Sequence, residues 1–144
     1  MAIKKILVPF DDSGYSNRAF KKSLEIARQQ KAEIIVATIM AGKYHFSMGP
    51  SIQLNQKSKN KEKSFADKVL LKLKNVAKKN DVKFTSILII NSSVEKGILE
   101  YAKTHKIDLI VIGSHGRTLF RKLVLGSVAY GVVNHSSSPV LVVK

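Results

Sequence analysis

The stretch DLIVIGSHGR, residues 108–117, combines a buried strand with a glycine-containing loop. After Asp108, residues 109–112 form a run of apolar and β-branched side chains, which is typical of a strand covered on both faces of a parallel sheet. Gly113 follows the run directly, and Gly116 comes three residues later. An open α/β sheet binds ligands at the carboxyl ends of its strands, so this junction is the first candidate for a binding site.

Strands and helices alternate along the rest of the chain. The predicted strands cover residues 3–10, 33–40, 83–90, 108–112 and 140–143, and the predicted helices begin near Ser13, Glu62, Ser92 and Gly126. Ser13 is expected to cap the first helix, while Ser92 and Glu95 resemble a capping box for the third. This order predicts right-handed crossovers and a doubly wound, Rossmann-like α/β fold with helices on both faces of a parallel sheet.

The segment from Ala41 to about Lys61 breaks the pattern, because its apolar residues lose their period and Gly42, Gly49 and Pro50 interrupt it. It is predicted to be a long irregular loop, a type of segment that is often functional. Helical spacing resumes at Glu62 and ends near Lys79, with several lysines turned to water.

Composition limits the class of protein. With 144 residues the chain is expected to form a single domain over residues 1–144, and it has no cysteine for disulfides or thiolate metal sites. No apolar run reaches the roughly 18 residues of a membrane span, and the N-terminal run is too short for a signal peptide, so a cytoplasmic protein without membrane attachment is expected. The net charge of +15 favours anionic partners without choosing among them.

Beyond Gly113 and Gly116, the chain continues to Gly126 and Ser127 in the pattern G-x2-G-x9-G-S. Glycines at the first two positions are expected to permit positive φ and to let backbone N–H groups approach a phosphate. Gly126, Ser127 and Val128 would open the last helix, whose N-terminus favours an anion. Each glycine alone is explained by a strand end, a turn or a helix cap, but the set together predicts a phosphate site.

These residues resemble the ATP-binding branch of the universal stress protein family, as do the opening KKILVPFDDS and the ending LGSVAYGVVNHSSSPVLVVK. The resemblance implies a five-stranded parallel sheet of the adenine nucleotide alpha-hydrolase type and a homodimer formed through the last strand, residues 139–143. It also implies that adenine and ribose bind near Pro9, Asp11 and the backbone of Ile39, and that the phosphates lie against the glycine motif. The phosphate set is Gly113, Gly116, Gly126, Ser127 and Val128.

Three neighbouring assignments stay open at this stage. Asp11 either accepts a hydrogen bond from a ribose hydroxyl or caps the first helix beside Asp12, and the position of its loop favours the first. Arg117 is a candidate phosphate contact that is equally well explained as a solvated side chain. His115 either contacts a phosphate or lies on the loop surface, and the absence of a carboxylate beside it in the sequence favours the surface.

The chain carries no Walker motif, kinase loop or G-x-S-x-G nucleophile elbow, which argues against a kinase, a P-loop ATPase and an esterase. The expectation is an ATP-dependent switch that presents a changed surface to an unknown protein partner, with Mg²⁺ or Mn²⁺ held through the phosphates. Two alternatives are a basic adaptor that binds nucleic acid through the lysines of residues 62–79, and an enzyme that hydrolyses ATP slowly.

Overall fold

The computed structural model describes residues 2–41, 52–117 and 124–144. Within these ranges, strands and helices alternate along the whole chain. The strands are β1 (Lys5–Pro9), β2 (Glu33–Ala41), β3 (Phe84–Asn91), β4 (Leu109–Gly113) and β5 (Val140–Val143), and the helices are α1 (Gly14–Gln30), α2 (Ile52–Lys79), α3 (Val94–Thr104) and α4 (Ser127–His135).

The five strands form one parallel sheet in the order β3-β2-β1-β4-β5. From β1 the chain moves outward to β2 and β3, then returns to place β4 on the other side of β1. The strand order therefore reverses between β1 and β4, and a crevice opens there at the carboxyl ends of the strands. The predicted five-stranded α/β fold is confirmed.

Each face of the sheet packs against a pair of helices. Strand residues such as Ile6 and Val36 pack with Phe20 of α1 and Leu73 of α2, whereas Leu7 and Ile110 face the opposite layer of α3 and α4. The side chains of β4 are all buried, which explains its continuous apolar sequence. Burying a Leu or Ile side chain contributes about 1.5–3 kcal/mol, so these two layers supply the main stabilisation of the fold.

Serine caps fix where two helices begin. The Ser13 side chain accepts a hydrogen bond from the Ser16 amide at 3.1 Å, as predicted. The prediction for α3 was wrong by one residue, because Ser93 rather than Ser92 is its N-cap and accepts from Lys96 N at 3.3 Å. Strand β3 continues to Asn91, whose Oδ1 accepts from Ser93 N at 3.1 Å, and this turn moves the start of the helix.

Helix α2 begins at Ile52, ten residues before the predicted start, so the prediction of irregular structure is wrong for residues 52–61. Few apolar residues occur in this stretch, so apolar spacing gives no helical signal, although its Gln and Lys residues are good helix formers. The remainder of the predicted loop, residues 42–51, lies outside the described residues. None of the described helices combines the length and the apolar character needed to cross a bilayer.

Candidate functional site

A pocket of about 510 Å³ lies at the carboxyl ends of β1, β2 and β4, beside the first turn of α4. It stands at the reversal of strand order, where this class of fold binds ligands. All nine residues that the sequence analysis assigned to a nucleotide site line it: Pro9, Asp11, Ile39, Gly113, Gly116, Arg117, Gly126, Ser127 and Val128. The fold therefore brings together three segments that are distant in sequence.

The turn after β1 positions Asp11. Its Oδ1 accepts a hydrogen bond from Ser13 N at 3.0 Å, and its Oδ2 lies on the side of Gly116, where an added Cβ would sit 3.0 Å away. The next residue, Asp12, has a φ of 61°, a left-handed conformation that Asp tolerates better than most residues. Asp11 therefore both stabilises the start of α1 and presents a carboxylate to the pocket.

The glycines of the motif serve close packing rather than unusual backbone angles. No described glycine has a positive φ, so that part of the prediction was wrong. A Cβ on Gly113 would lie 2.8 Å from Tyr15 Cβ and 2.9 Å from the Tyr15 carbonyl carbon. A Cβ on Gly126 would lie 3.2 Å from both His115 Cα and the Ser114 carbonyl oxygen. Glycine is required because the loop, α1 and the start of α4 come within contact distance.

Ser114 connects the two ends of the motif. Its N–H donates to the Val143 carbonyl at 2.8 Å, and its carbonyl accepts from Gly126 N at 2.7 Å. The side chain is 1% exposed. One buried serine thus ties the end of β4, the end of β5 and the N-terminus of α4 into a single rigid corner.

The first turn of α4 faces the pocket with its backbone. Gly126 is the N-cap and provides no side-chain cap hydrogen bond, while Ser127 is exposed and Val128 is half-buried. The first N–H groups of a helix have no partner within the helix, and the helix dipole adds partial positive charge there. This corner is suited to bind an anion.

The pocket lining also includes apolar side chains from several elements: Phe10, Ile39, Val94, Ile98, Ile112 and Ala129. Val94 and Ile98 were missed by the sequence analysis. They belong to α3, and they reach the site because α3 packs against β2, β3 and α4. The sequence could have indicated them, because α3 begins directly after the carboxyl end of β3. A pocket that combines apolar lining with an anion-binding helix N-terminus suits a ligand with one aromatic and one charged end.

His115, in the loop after β4, is half-buried and lines the pocket. Its Nδ1 is 2.9 Å from Ser114 Oγ, and its ring packs against Tyr15 with ring centroids 5.2 Å apart. Arg117, two residues later, is exposed at the pocket rim. The described residues contain no cluster of three or more His, Cys, Asp or Glu side chains that would hold a metal ion.

The chain belongs to the universal stress protein family, whose model matches residues 2–144. A universal stress protein of Methanocaldococcus jannaschii is 32% identical over 146 residues, an alignment that covers 98% of this chain and 82% of that protein. The solved structure of another universal stress protein from the same organism is 27% identical and has a TM-score of 0.85, covering 100% of this chain and 97% of the other. The family resemblance drawn from the sequence is confirmed.

Several solved family members are complexes with adenine nucleotides. A universal stress protein family protein from Arabidopsis thaliana has AMP bound; it is 22% identical, has a TM-score of 0.71, and covers 98% of this chain and 91% of the other. Other structures contain dAMP, in an Archaeoglobus fulgidus protein, and cAMP. At this level of identity they share the fold with the present chain.

Proposed function

We propose that this protein binds ATP in the pocket between β1 and β4, and that nucleotide occupancy changes the surface it offers to a protein partner. The observation that carries the proposal is the convergence of Asp11, Ile39 and the glycine motif on one pocket of about 510 Å³. Family members that are known as complexes with AMP, dAMP and cAMP support an adenine nucleotide as the ligand.

The adenine ring would lie against the apolar side chains of the pocket. Ile39, Val94 and Ile98 provide flat apolar contact there, and Ile39 stands at the carboxyl end of β2, where its backbone groups reach the pocket edge. Asp11 would accept a hydrogen bond from a ribose hydroxyl, because it lines the pocket and its carboxylate lies beside Gly116.

The phosphates would lie against Gly116, Gly126 and the first turn of α4. Uncapped backbone N–H groups and a partial positive charge favour an anion at this corner, and Arg117 stands at its rim. The net charge of +15 adds long-range attraction for a multiply charged ligand. A divalent cation, Mg²⁺ or Mn²⁺, would be held mainly by the phosphates themselves.

Binding is favoured over rapid hydrolysis. Among the described residues that line the pocket, Asp11 is the sole carboxylate, and its Oδ1 already accepts a hydrogen bond from Ser13 N. Efficient phosphoryl transfer needs an oriented water or base and a metal clamp held by the protein. Turnover is therefore expected to be slow.

Ser114 gives the switch a physical route to the edge of the sheet. Because its N–H bonds to Val143 of β5, a ligand that contacts Gly113 and Gly126 also constrains the edge strand. That strand, with four half-exposed apolar residues, is the surface through which we propose that a homodimer forms. ATP would then act by stabilising one arrangement of loop and edge.

A basic surface on α2 favours a second function. Lys68, Lys72, Lys74 and Lys78 of α2 are exposed, and none of them makes an ion pair among the described residues. Such a surface binds polyanions without sequence preference. A nucleic-acid adaptor that needs no nucleotide remains the alternative function.

Calorimetric titration at two salt concentrations separates the two functions. ATP and a single-stranded oligonucleotide are each titrated into the protein in about 50 and 200 mM salt. The proposal predicts one saturable ATP site whose affinity falls only slightly at the higher salt. Absence of an ATP site, together with oligonucleotide affinity that falls steeply with salt, would establish the adaptor instead.

A further inference from the structure

His115 is held in a fixed orientation on the wall of the pocket. Its Nδ1 lies 2.9 Å from the hydroxyl of Ser114, which is itself buried and anchored through both of its backbone polar groups. A side chain whose orientation is already fixed loses little conformational entropy when it binds a ligand.

Helix α1 supports the other side of the ring. Tyr15 packs against His115 at a tilt of 47°, and the guanidinium of Arg18 lies 4.7 Å from the centre of the Tyr15 ring. Arg18 Nε donates in turn to the Lys144 carbonyl at 3.0 Å. The imidazole is thus part of a packed row that extends from the pocket to the end of β5.

We propose that His115 is a phosphate-binding side chain, and that its protonation makes the site bind nucleotide phosphates more tightly as pH falls. This inference rests on the proposed ATP-binding function and names a regulation of the same site. A titrating side chain differs from the glycine motif, which would bind phosphate through backbone groups whose charge does not change with pH.

The contact with Ser114 survives a change of protonation state. A hydroxyl rotates, so the contact can reverse its direction. Ser114 Oγ donates to Nδ1 when the neutral ring carries its proton on Nε2, and it accepts from Nδ1–H when the ring is charged. The charge of His115 can therefore change while its position stays the same. A charged donor gives a hydrogen bond to phosphate about twice as strong as a neutral one.

Charged groups on several elements line the same pocket or lie behind Tyr15. Asp11, after β1, and Arg117, in the loop, line the same pocket as His115. From α1, the titratable side chain of Tyr15 packs on the imidazole ring, and Arg18 lies over the Tyr15 ring. The N-terminus of α4 adds partial positive charge near Gly126. A bound triphosphate would exceed these charges and favour the protonated ring, so the extra affinity is present at low pH and lost as pH rises.

The test uses calorimetry with ATP and with adenosine, which lacks phosphate, in the presence of a chelator that removes divalent cations. The protein, H115Q and S114A are compared at about pH 6 and pH 8.5, on either side of the range in which histidine titrates. At about pH 6, H115Q is expected to bind ATP about tenfold more weakly than the unmodified protein, and at pH 8.5 by about twofold or less. Adenosine affinity is expected to change by less than about twofold at both pH values. Protonation of ATP itself cancels, because variants are compared at the same pH.

S114A checks the role of Ser114 as a positioning residue. It keeps the backbone bonds of Ser114 and removes only the hydroxyl, so we expect a smaller loss of ATP affinity at low pH and unchanged adenosine binding. If H115Q fails to show a cooperative thermal transition, the S114A pH profile decides.

Two results would overturn the inference and leave the ATP site standing. One is equal weakening of ATP binding at both pH values, and the other is ATP binding by H115Q that matches the unmodified protein. Loss of adenosine binding in parallel with ATP would reduce His115 to a structural role and also overturn it. If the unmodified protein binds neither ligand, the proposed function itself fails.

Discussion

Replacing Gly116 by valine separates ligand binding from folding. Gly116 is exposed and has a negative φ, so valine introduces no left-handed strain. A Cβ there would lie 3.0 Å from Asp11 Oδ2 and meets no other atom within contact distance. The branched side chain would instead project into the space proposed for the phosphates and cover the neighbouring N–H groups.

The expected size of the effect follows from the hydrogen bonds to phosphate that valine would block. Each charge-assisted hydrogen bond from a backbone N–H to phosphate contributes about 1.5–3 kcal/mol, and losing two weakens ATP binding by more than about 100-fold. The free energy of unfolding should change by less than about 1 kcal/mol, which is a few degrees in the thermal midpoint. Calorimetric titration with ATP and thermal denaturation of the nucleotide-free protein measure the two effects.

Gly14→Val is the matched control for this variant. Gly14 is also exposed, lies outside the pocket lining, and a Cβ there meets only the flexible end of Arg18 within contact distance. The control should bind ATP like the unmodified protein. The reasoning fails if G116V binds ATP normally, or if G116V and G14V lose affinity equally.

Two more substitutions probe the same corner. Gly113→Ala should destabilise the nucleotide-free protein by about 1–3 kcal/mol in thermal denaturation, because its Cβ would collide with the Tyr15 backbone. Gly116→Ala should leave stability nearly unchanged. Equal thermal midpoints for the two variants would contradict the packing explanation. Ser127→Ala should weaken ATP binding by about 1 kcal/mol, or about fivefold in calorimetry, since backbone groups would still bind the phosphate, and Ser137→Ala outside the pocket serves as its control. A loss as large as that of G116V would show that the hydroxyl carries more of the binding than the backbone.

Much of the fold was predictable because strands and helices carry opposite signals in this sequence. Continuous apolar runs such as residues 108–112 mark strands buried on both faces, and Ser13 marks a helix start through its hydroxyl. Helix α2 was predicted to begin too late, because residues 52–61 lack the apolar spacing on which the prediction depended.

The site was predictable as a set of residues and less so as a geometry. Placing Asp11 beside Gly116 follows from parallel strands that end at one edge, whereas the reason for the glycines did not follow from sequence. The close approach of Gly113 to Tyr15 joins segments that are far apart in the chain, and that of Gly126 to His115 joins the two ends of the glycine motif. The same contacts explain why His115 is half-buried and lines the pocket.

A crystal structure grown with ATP in excess tests the central claim most directly. We expect adenine density against Ile39, Val94 and Ile98, and phosphate density within hydrogen-bonding distance of the backbone N–H groups at Gly116, Ser127 and Val128. A nucleotide bound elsewhere on the surface, with the pocket between β1 and β4 filled only by solvent, would contradict it.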